Sequence, residues 1–472
     1  MTQVLESALD DFRETFTGQV IMPADSAYGA ARVVWNAEID RHPAMIARCL
    51  NTADVSAAVS FARQQGLEIS VRGGAHNMSG SAVEDAGLMI DLSQLCEVTV
   101  NPAGRRARVG GGALLADMDA ATQAHGLATP AGLVSHTGVG GLTLGGGMGW
   151  LTRKFGLAID NLIAAEIVVA DSRILRAAAD ENPELFWAIR GGGGNFGVVT
   201  SFEFQLHKVG PLIEFGLFFW GIDQGAEVLR IAREVIATLP RDLNAVIAGL
   251  NAPPAPFVPE QHQFRPGYAL LITGFGSAEE HAAAAARIRE ALPPLFEFVT
   301  PMPYVELQQL LDESNAWGLF GYEKGCYLAG LSDNAIAVIS DQLPRKRSPL
   351  SNLLFYRLDG GYSEVADAET SFSGGRSPRY AIFIVALAAT RELLTADRRW
   401  VRSFWEALRP YALGIGSYVN GMAEFEEDRV RAAYGAAKYQ RLATIKADYD
   451  PENVFHHNAN IKPALAPQST TG

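Results

Sequence analysis

Three glycine-rich turns hold the residues in this sequence that could bind and activate a small molecule. Gly73, Gly74 and Gly80 surround a strand end with His76 between them, Gly138 to Gly149 holds seven glycines, and Gly191 to Gly197 holds five. Glycine costs conformational entropy, so such runs occur where backbone must take positive φ or approach a ligand closely. Three of them within one half of the chain point to a single ligand wrapped by backbone. The ligand is not bound through a P-loop: Gly140 to Gly145 has the glycine spacing, but Gly146 stands where lysine must reach the phosphates. A Rossmann fingerprint fits poorly, because Gly138-Val139-Gly140-Gly141-Leu142-Thr143 fails at its last glycine and Gly145–Gly146–Gly147 leads into no obvious long helix. The pair His456–His457 has no third ligand nearby in sequence, and Cys49, Cys96 and Cys326 are scattered, so no metal site and no disulfide framework are expected.

The elements that must carry these turns read as α/β in the first half. Helical periodicity runs over Val4 to Phe16, Asp54 to Gln65 and Leu114 to His125, the last closed by Gly126. Strands are expected at Leu67 to Val71, Leu88 to Leu92, Arg105 to Val109, Ile163 to Ala170 and Val198 to Leu206. From Val209 the texture changes. Strands at Glu214 to Trp220, Tyr268 to Phe275, Asn352 to Leu358 and Tyr380 to Leu387 alternate with helices at Glu227 to Leu239, Glu279 to Leu292 and Arg391 to Leu408. That pattern predicts an antiparallel sheet covered by helices on one face. The Pro253 to Pro259 segment reads as an exposed loop.

The whole chain has 472 residues, 48% of them apolar, and a formal net charge of −13. Its length suggests two large domains or about three ordinary ones. An acidic chain neutralises phosphates poorly, so nucleic acid is not an expected partner. The longest apolar run, Tyr380 to Ala389, is too short to span a bilayer, and Met1 to Phe16 lacks a basic n-region, so a cytoplasmic location is expected. Oligomeric state is left open, a homodimer included.

The order of motifs is more specific than any one of them. Val71-Arg72-Gly73-Gly74-Ala75-His76-Asn77 is followed by Gly138-Val139-Gly140-Gly141-Leu142-Thr143-Leu144-Gly145-Gly146-Gly147-Met148-Gly149-Trp150 and by Gly156-Leu157-Ala158-Ile159-Asp160-Asn161. Then come Leu185 to Thr200, with Gly197 and Val199, and Tyr449-Asp450-Pro451-Glu452-Asn453-Val454-Phe455 near the end. The series resembles the FAD-linked oxidases of the vanillyl-alcohol-oxidase superfamily, in the berberine-bridge-enzyme-like branch that includes bacterial 6-hydroxynicotine oxidases. The resemblance implies an α+β architecture: an FAD-binding domain in two parts, 1–208 and 417–472, with an α+β substrate domain, 209–416, inserted between them. Glycine-run amides would hold the pyrophosphate.

In such proteins the histidine at His76 is bonded to the flavin 8α-methyl group, which fixes the ring and raises its potential. Ala75 replaces the glycine common before it. Many members add a cysteine tether, but Val134 occupies that position, so FAD held by His76 alone is implied. Thr137 lies at the position that governs oxygen access, and its small side chain favours oxidase chemistry. Arg72, Asn77, Gly80, Asp160, Asn161 and the tail amides of Asn458 and Asn460 fall within the cofactor-contacting motifs, and Trp150 near the flavin. For catalysis the resemblance points to Tyr418 in Tyr418-Val419-Asn420 and to the strand carrying Tyr356 and Asp359. Alternation puts Tyr356 and Asp359 on opposite faces, so only one of them can face the flavin. His136 reads equally as a base or as a packing residue. The implied activity is hydride transfer from a small organic alcohol or amine to flavin, with O2 reduced to H2O2. A flavin-dependent tailoring oxygenase or cyclase acting on a polyketide-like molecule is the alternative, and a flavin carrier without chemistry a third reading.

Overall fold

The computed structural model describes residues 3–465. Two small sheets, with a two-stranded pairing of Leu127–Ala128 and His207–Lys208, build the first part. In one, Gln19–Ile21 pairs antiparallel with Met45–Arg48, which continues in parallel through Leu88–Asp91 to Ile69–Arg72. The Thr52–Gln65 helix makes the parallel crossover. Asn51 caps its start by accepting from Asp54 N, and Gly66 at φ +64° closes its end, a left-handed position that glycine takes without strain. The second sheet is antiparallel, in the order Val98–Asn101, Arg106–Gly110, Val198–Gln205, Leu162–Val168, Ile174–Ala178.

The inserted part is a seven-stranded antiparallel sheet in the order Phe296–Pro303, Leu212–Gly221, Pro266–Gly274, Leu243–Asn251, Asn352–Leu358, Arg379–Ala388, Phe320–Leu328. Alternation divides its faces. Ala245 and Ile247 pack with the helices Gly225–Ala237, Ala278–Ala291, Asp333–Gln342 and Arg391–Leu408, while Val246 and Ala248 join a separate cluster on the other side. The Arg391–Leu408 helix shows why this face closes well: Leu394, Val401, Phe404, Trp405 and Leu408 recur at helical spacing and are all buried. Helices on one face of an antiparallel sheet match the expected α+β architecture. Four of the seven strands are legible in the sequence. Leu243–Asn251, Phe296–Pro303 and Phe320–Leu328 are additional.

The chain then returns to the first part through the long Glu427–Tyr449 helix, kinked at Gly435. Lys446 and Asp450 make a fully buried ion pair at 3.0 Å. Lys446 also donates to the carbonyls of Asn195 and Phe455, and Asp450 accepts from Val454 N and Phe455 N. One charge pair therefore ties the third glycine turn, the last helix and the tail together. Among the described residues, no helix is long and apolar enough to cross a membrane.

Candidate active site

The glycine turns and the non-helical face of the large sheet enclose one cavity of about 880 Å³. Gly73, Gly74, Gly138, Gly140 and Gly141 line it from the first two turns, and Gly193, Gly194 and Gly197 from the third. The first two turns touch backbone to backbone: a Cβ on Gly74 would lie 2.2 Å from Gly138 N, and one on Gly138 would lie 2.3 Å from Gly74 N. Ala75, Asn77, Thr137, Val199 and Asn458 also reach the wall. Four polar atoms on cavity-lining residues are buried without a protein partner: Ser70 Oγ, His76 Nε2, Asn352 Oδ1 and Asn458 Oδ1. Buried polar atoms in native proteins are nearly always paired, so these point to a ligand rich in donors and acceptors.

His76 stands where the turns meet. Its ring stacks on Trp35 at 4.8 Å and lies 4.9 Å from His136. Burial, helped by His136, lowers its pKa to about 3, which leaves a neutral imidazole with a free lone pair. Ala75 before it sits at φ +51°, so the site that glycine would fill without strain holds a residue that does not.

Opposite lies a chamber built by the inserted sheet. Tyr356, Tyr418 and Phe383 line it, with Phe383 edge-on to both phenols at 5.4 and 6.2 Å. The Tyr418 hydroxyl accepts from Gly147 N and from Asn420 Nδ2, each at 2.9 Å. Burial still pushes its pKa up to about 12 against those donors, and burial raises the Tyr356 phenol as well. Neither is a ready base. Glu323 is a third titratable group beside them. It lines the same cavity, and burial alone pushes its carboxyl up to about 8. Its strand, Phe320–Leu328, turns Tyr322 and Lys324 away toward Glu424 and Glu426. Gly321 and Gly325 share the Glu323 face, where a Cβ would strike Met78 and Ser417, so the two glycines let the strand lie close against the first part of the protein.

Several expected site residues lie elsewhere. Asp359 is spent on Arg153 and, at 2.8 Å, on Arg357, because the strand turns Asn352, Leu354 and Tyr356 to the cavity. Trp150 is a core residue packed with Leu133, Phe219 and Tyr304. Asp160 makes a buried two-pronged pair with Arg376 at 2.7 and 2.8 Å, and Asn161 bonds the carbonyls of Phe155 and Leu157. Arg72 donates to the carbonyls of Ala31 and Val33. Thr143 and Asn460 stand behind the wall, as do Gly80, Gly145, Gly146, Gly147 and Gly149. These glycines serve chain against chain: a Cβ on Gly146, at φ +138°, would strike Phe372 and Tyr418. His136 is likewise off the wall. The Pro253 to Pro259 segment is an exposed loop as expected, with Pro253, Pro254 and Pro256 exposed, and it also contributes Pro253, Pro254 and Phe257 to the cavity lining while Val258 is buried. The His456–His457 pair does have a third group, Glu68, supplied from far away in sequence. Sequence reasoning misses Glu323, because two glycines and the Glu-Lys pair hide its strand. The signal is a lone acid flanked by glycines at i±2.

Glycine walls and orphaned polar atoms fit a bound cofactor with many donors and acceptors, and the adjoining chamber with Glu323 fits a small substrate beside it. Residues 43–178 match the model of the FAD binding domain family, and residues 417–462 match that of the berberine and berberine-like family. The chain is similar to (R)-6-hydroxynicotine oxidase of Paenarthrobacter nicotinovorans, 32% identical over 460 residues that cover 94% of this chain and 97% of that protein. Its fold is similar to the crystal structure of 6-hydroxy-D-nicotine oxidase from Arthrobacter nicotinovorans, with a TM-score of 0.84 and 28% identity over 95% and 98% of the two chains. Glucooligosaccharide oxidase of Acremonium strictum, with its 6-S-cysteinyl, 8α-N1-histidyl FAD, shares the fold at a TM-score of 0.85 and 22% identity over 98% of this chain and 100% of that one. The chain therefore belongs to the berberine-bridge-enzyme-like FAD-linked oxidases of the vanillyl-alcohol-oxidase superfamily, and it is an enzyme with FAD as cofactor.

Proposed function

We propose that the protein oxidises a small organic amine or alcohol, with FAD bonded through His76 alone and O2 reduced to H2O2. The observation that carries the reading is the single cavity that joins the glycine turns to Glu323, Tyr356 and Tyr418. When bound, FAD would supply a two-electron acceptor able to pass its electrons to O2. The chain supplies the rest. Residues 1–208 and 417–472 would hold the cofactor, through the cavity-lining Gly73, Gly74, Gly138, Gly140 and Gly141 together with Asn77, Thr137, Val199 and Asn458. Residues 209–416 would hold substrate.

His76 is suited to the tether because its imidazole is neutral and Nε2 has no protein partner. Val134, at the position that the resemblance gives to a second, cysteine tether, lines the cavity and cannot form one. Glu323 is suited to take the substrate proton. A base works best when its pKa lies near the operating pH, and this carboxyl sits at about 8 in an apolar chamber. Tyr418, pinned by Gly147 and Asn420, would orient the substrate heteroatom and Tyr356 would close the opposite side. Cys49, Cys96 and Cys326 are all unpaired, in keeping with a reducing cytoplasm.

The test is a panel of secondary and tertiary amines, benzylic alcohols and sugars, read by peroxidase-coupled H2O2 between pH 6 and 10. Turnover of an amine or alcohol with one H2O2 per product is the expected result. Incorporation of 18O from 18O2 into product, without free H2O2, would replace oxidase with oxygenase.

A further inference from the structure

On the outside of the first part, at the far side of the wall formed by His457, two imidazoles and a carboxylate converge. Glu68 precedes the Ile69–Arg72 strand, and His456 and His457 belong to the tail. Glu68 Oε2 lies 3.0 Å from His456 Nε2 and 3.2 Å from His457 Nε2. All three donor atoms fall within 4.8 Å of one another. Tetrahedral bonds of about 2.0–2.1 Å to N and O would set neighbouring donors roughly 3.3 Å apart, so the two close contacts have the spacing of a coordination shell.

The other nitrogen of each ring is already committed. His456 Nδ1 lies 2.7 Å from the Asn453 carbonyl, which can only accept, so that nitrogen carries the proton. His457 Nδ1 lies 3.2 Å from Glu84 Oε2, again an acceptor. Both Nε2 atoms therefore face the same carboxylate oxygen. The two rings lie 4.4 Å apart, close enough to share one ion. A divalent cation at the convergence satisfies every group at once, with the Asn453 carbonyl and Glu84 in the outer-shell role that orients metal-bound histidines. Asn453 takes a left-handed φ of +55° at the turn that presents this carbonyl.

We propose that Glu68, His456 and His457 bind a divalent cation of the zinc class, with water completing a four-coordinate shell. One carboxylate and two imidazoles form a borderline-hard set that suits Zn²⁺ better than Mg²⁺ or Ca²⁺. The ion would staple the tail to the first sheet. Because Asn458 follows directly and lines the cavity, the staple would also steady the cofactor end of the site.

The untagged holoenzyme, stripped with chelator, is equilibrated with Zn²⁺ and passed through gel filtration, and retained zinc is measured by mass spectrometry. Wild type is expected to keep one Zn²⁺ per chain and gain thermal stability on loading. The H456Q/H457Q variant should keep none and gain nothing, and E84Q should bind at least 10-fold more weakly. Far-ultraviolet circular dichroism checks that each variant is folded. Failure of wild type to retain zinc, or equal retention by H456Q/H457Q, would overturn the proposal. Neither outcome bears on the assignment of the oxidase site.

Discussion

Glu323 is the residue on which the proposed chemistry turns, because burial alone raises its carboxyl to about 8. As a base it works only when ionised, so activity should climb as pH rises through about 8. Glu323→Gln removes that limb and should lower kcat by about 10²–10⁴-fold, read from the pH–rate profile. The same shift affects stability. Between pH 4.5 and about 8 the folded apoprotein keeps a proton that the unfolded chain has lost, so stability falls with rising pH across that window. E323Q should flatten that fall in apoprotein melting curves. An unchanged slope would mean that the carboxyl ionises normally. Ala75 offers a second check. Its left-handed φ costs an L-residue roughly 1–2 kcal/mol, so Ala75→Gly should match or exceed wild-type stability in denaturant titration while keeping bound flavin.

The elements that bring these residues together depend on a few contacts that span long sequence distances. Lys446 and Asp450 are wholly buried and bind the third glycine turn to the tail. Lys446→Met leaves Asp450 as an uncompensated buried charge, and a loss of about 3–5 kcal/mol in urea unfolding is expected. At the junction of the first two turns, Gly74→Ala drives a Cβ into Gly138 backbone. Flavin content should fall in that variant with little change in the helix signal of the inserted part. How far these elements can be foreseen varies with their physics. The Arg391–Leu408 helix and the Asn352–Leu358 strand are legible to the residue, because apolar periodicity is a local property. The Phe320–Leu328 strand is not, since its glycines and the Glu323–Lys324 pair make sense only against Met78, Ser417 and Glu424. Which of Tyr356 and Asp359 faces the cavity is undecidable from alternation alone. Arg153, more than two hundred positions away, settles it by claiming Asp359.

Across the whole molecule, motif order carries more information than any single motif. The turns at Gly73, Gly138 and Gly191 converge on one cavity although no one of them is a complete nucleotide fingerprint. The glycines divide the work: Gly138, Gly140 and Gly141 reach the wall, while Gly145, Gly146, Gly147 and Gly149 pack chain on chain. Sequence shows the run but not that division. We propose that one covalent bond, from His76, holds the flavin beside the inserted sheet. Purified enzyme should be precipitated with acid, digested, and its flavin-bearing peptides mapped by mass. The expected result is yellow colour in the pellet and a single FAD-bearing peptide that contains His76. Free flavin in the supernatant, or an attachment at any other residue, would contradict it.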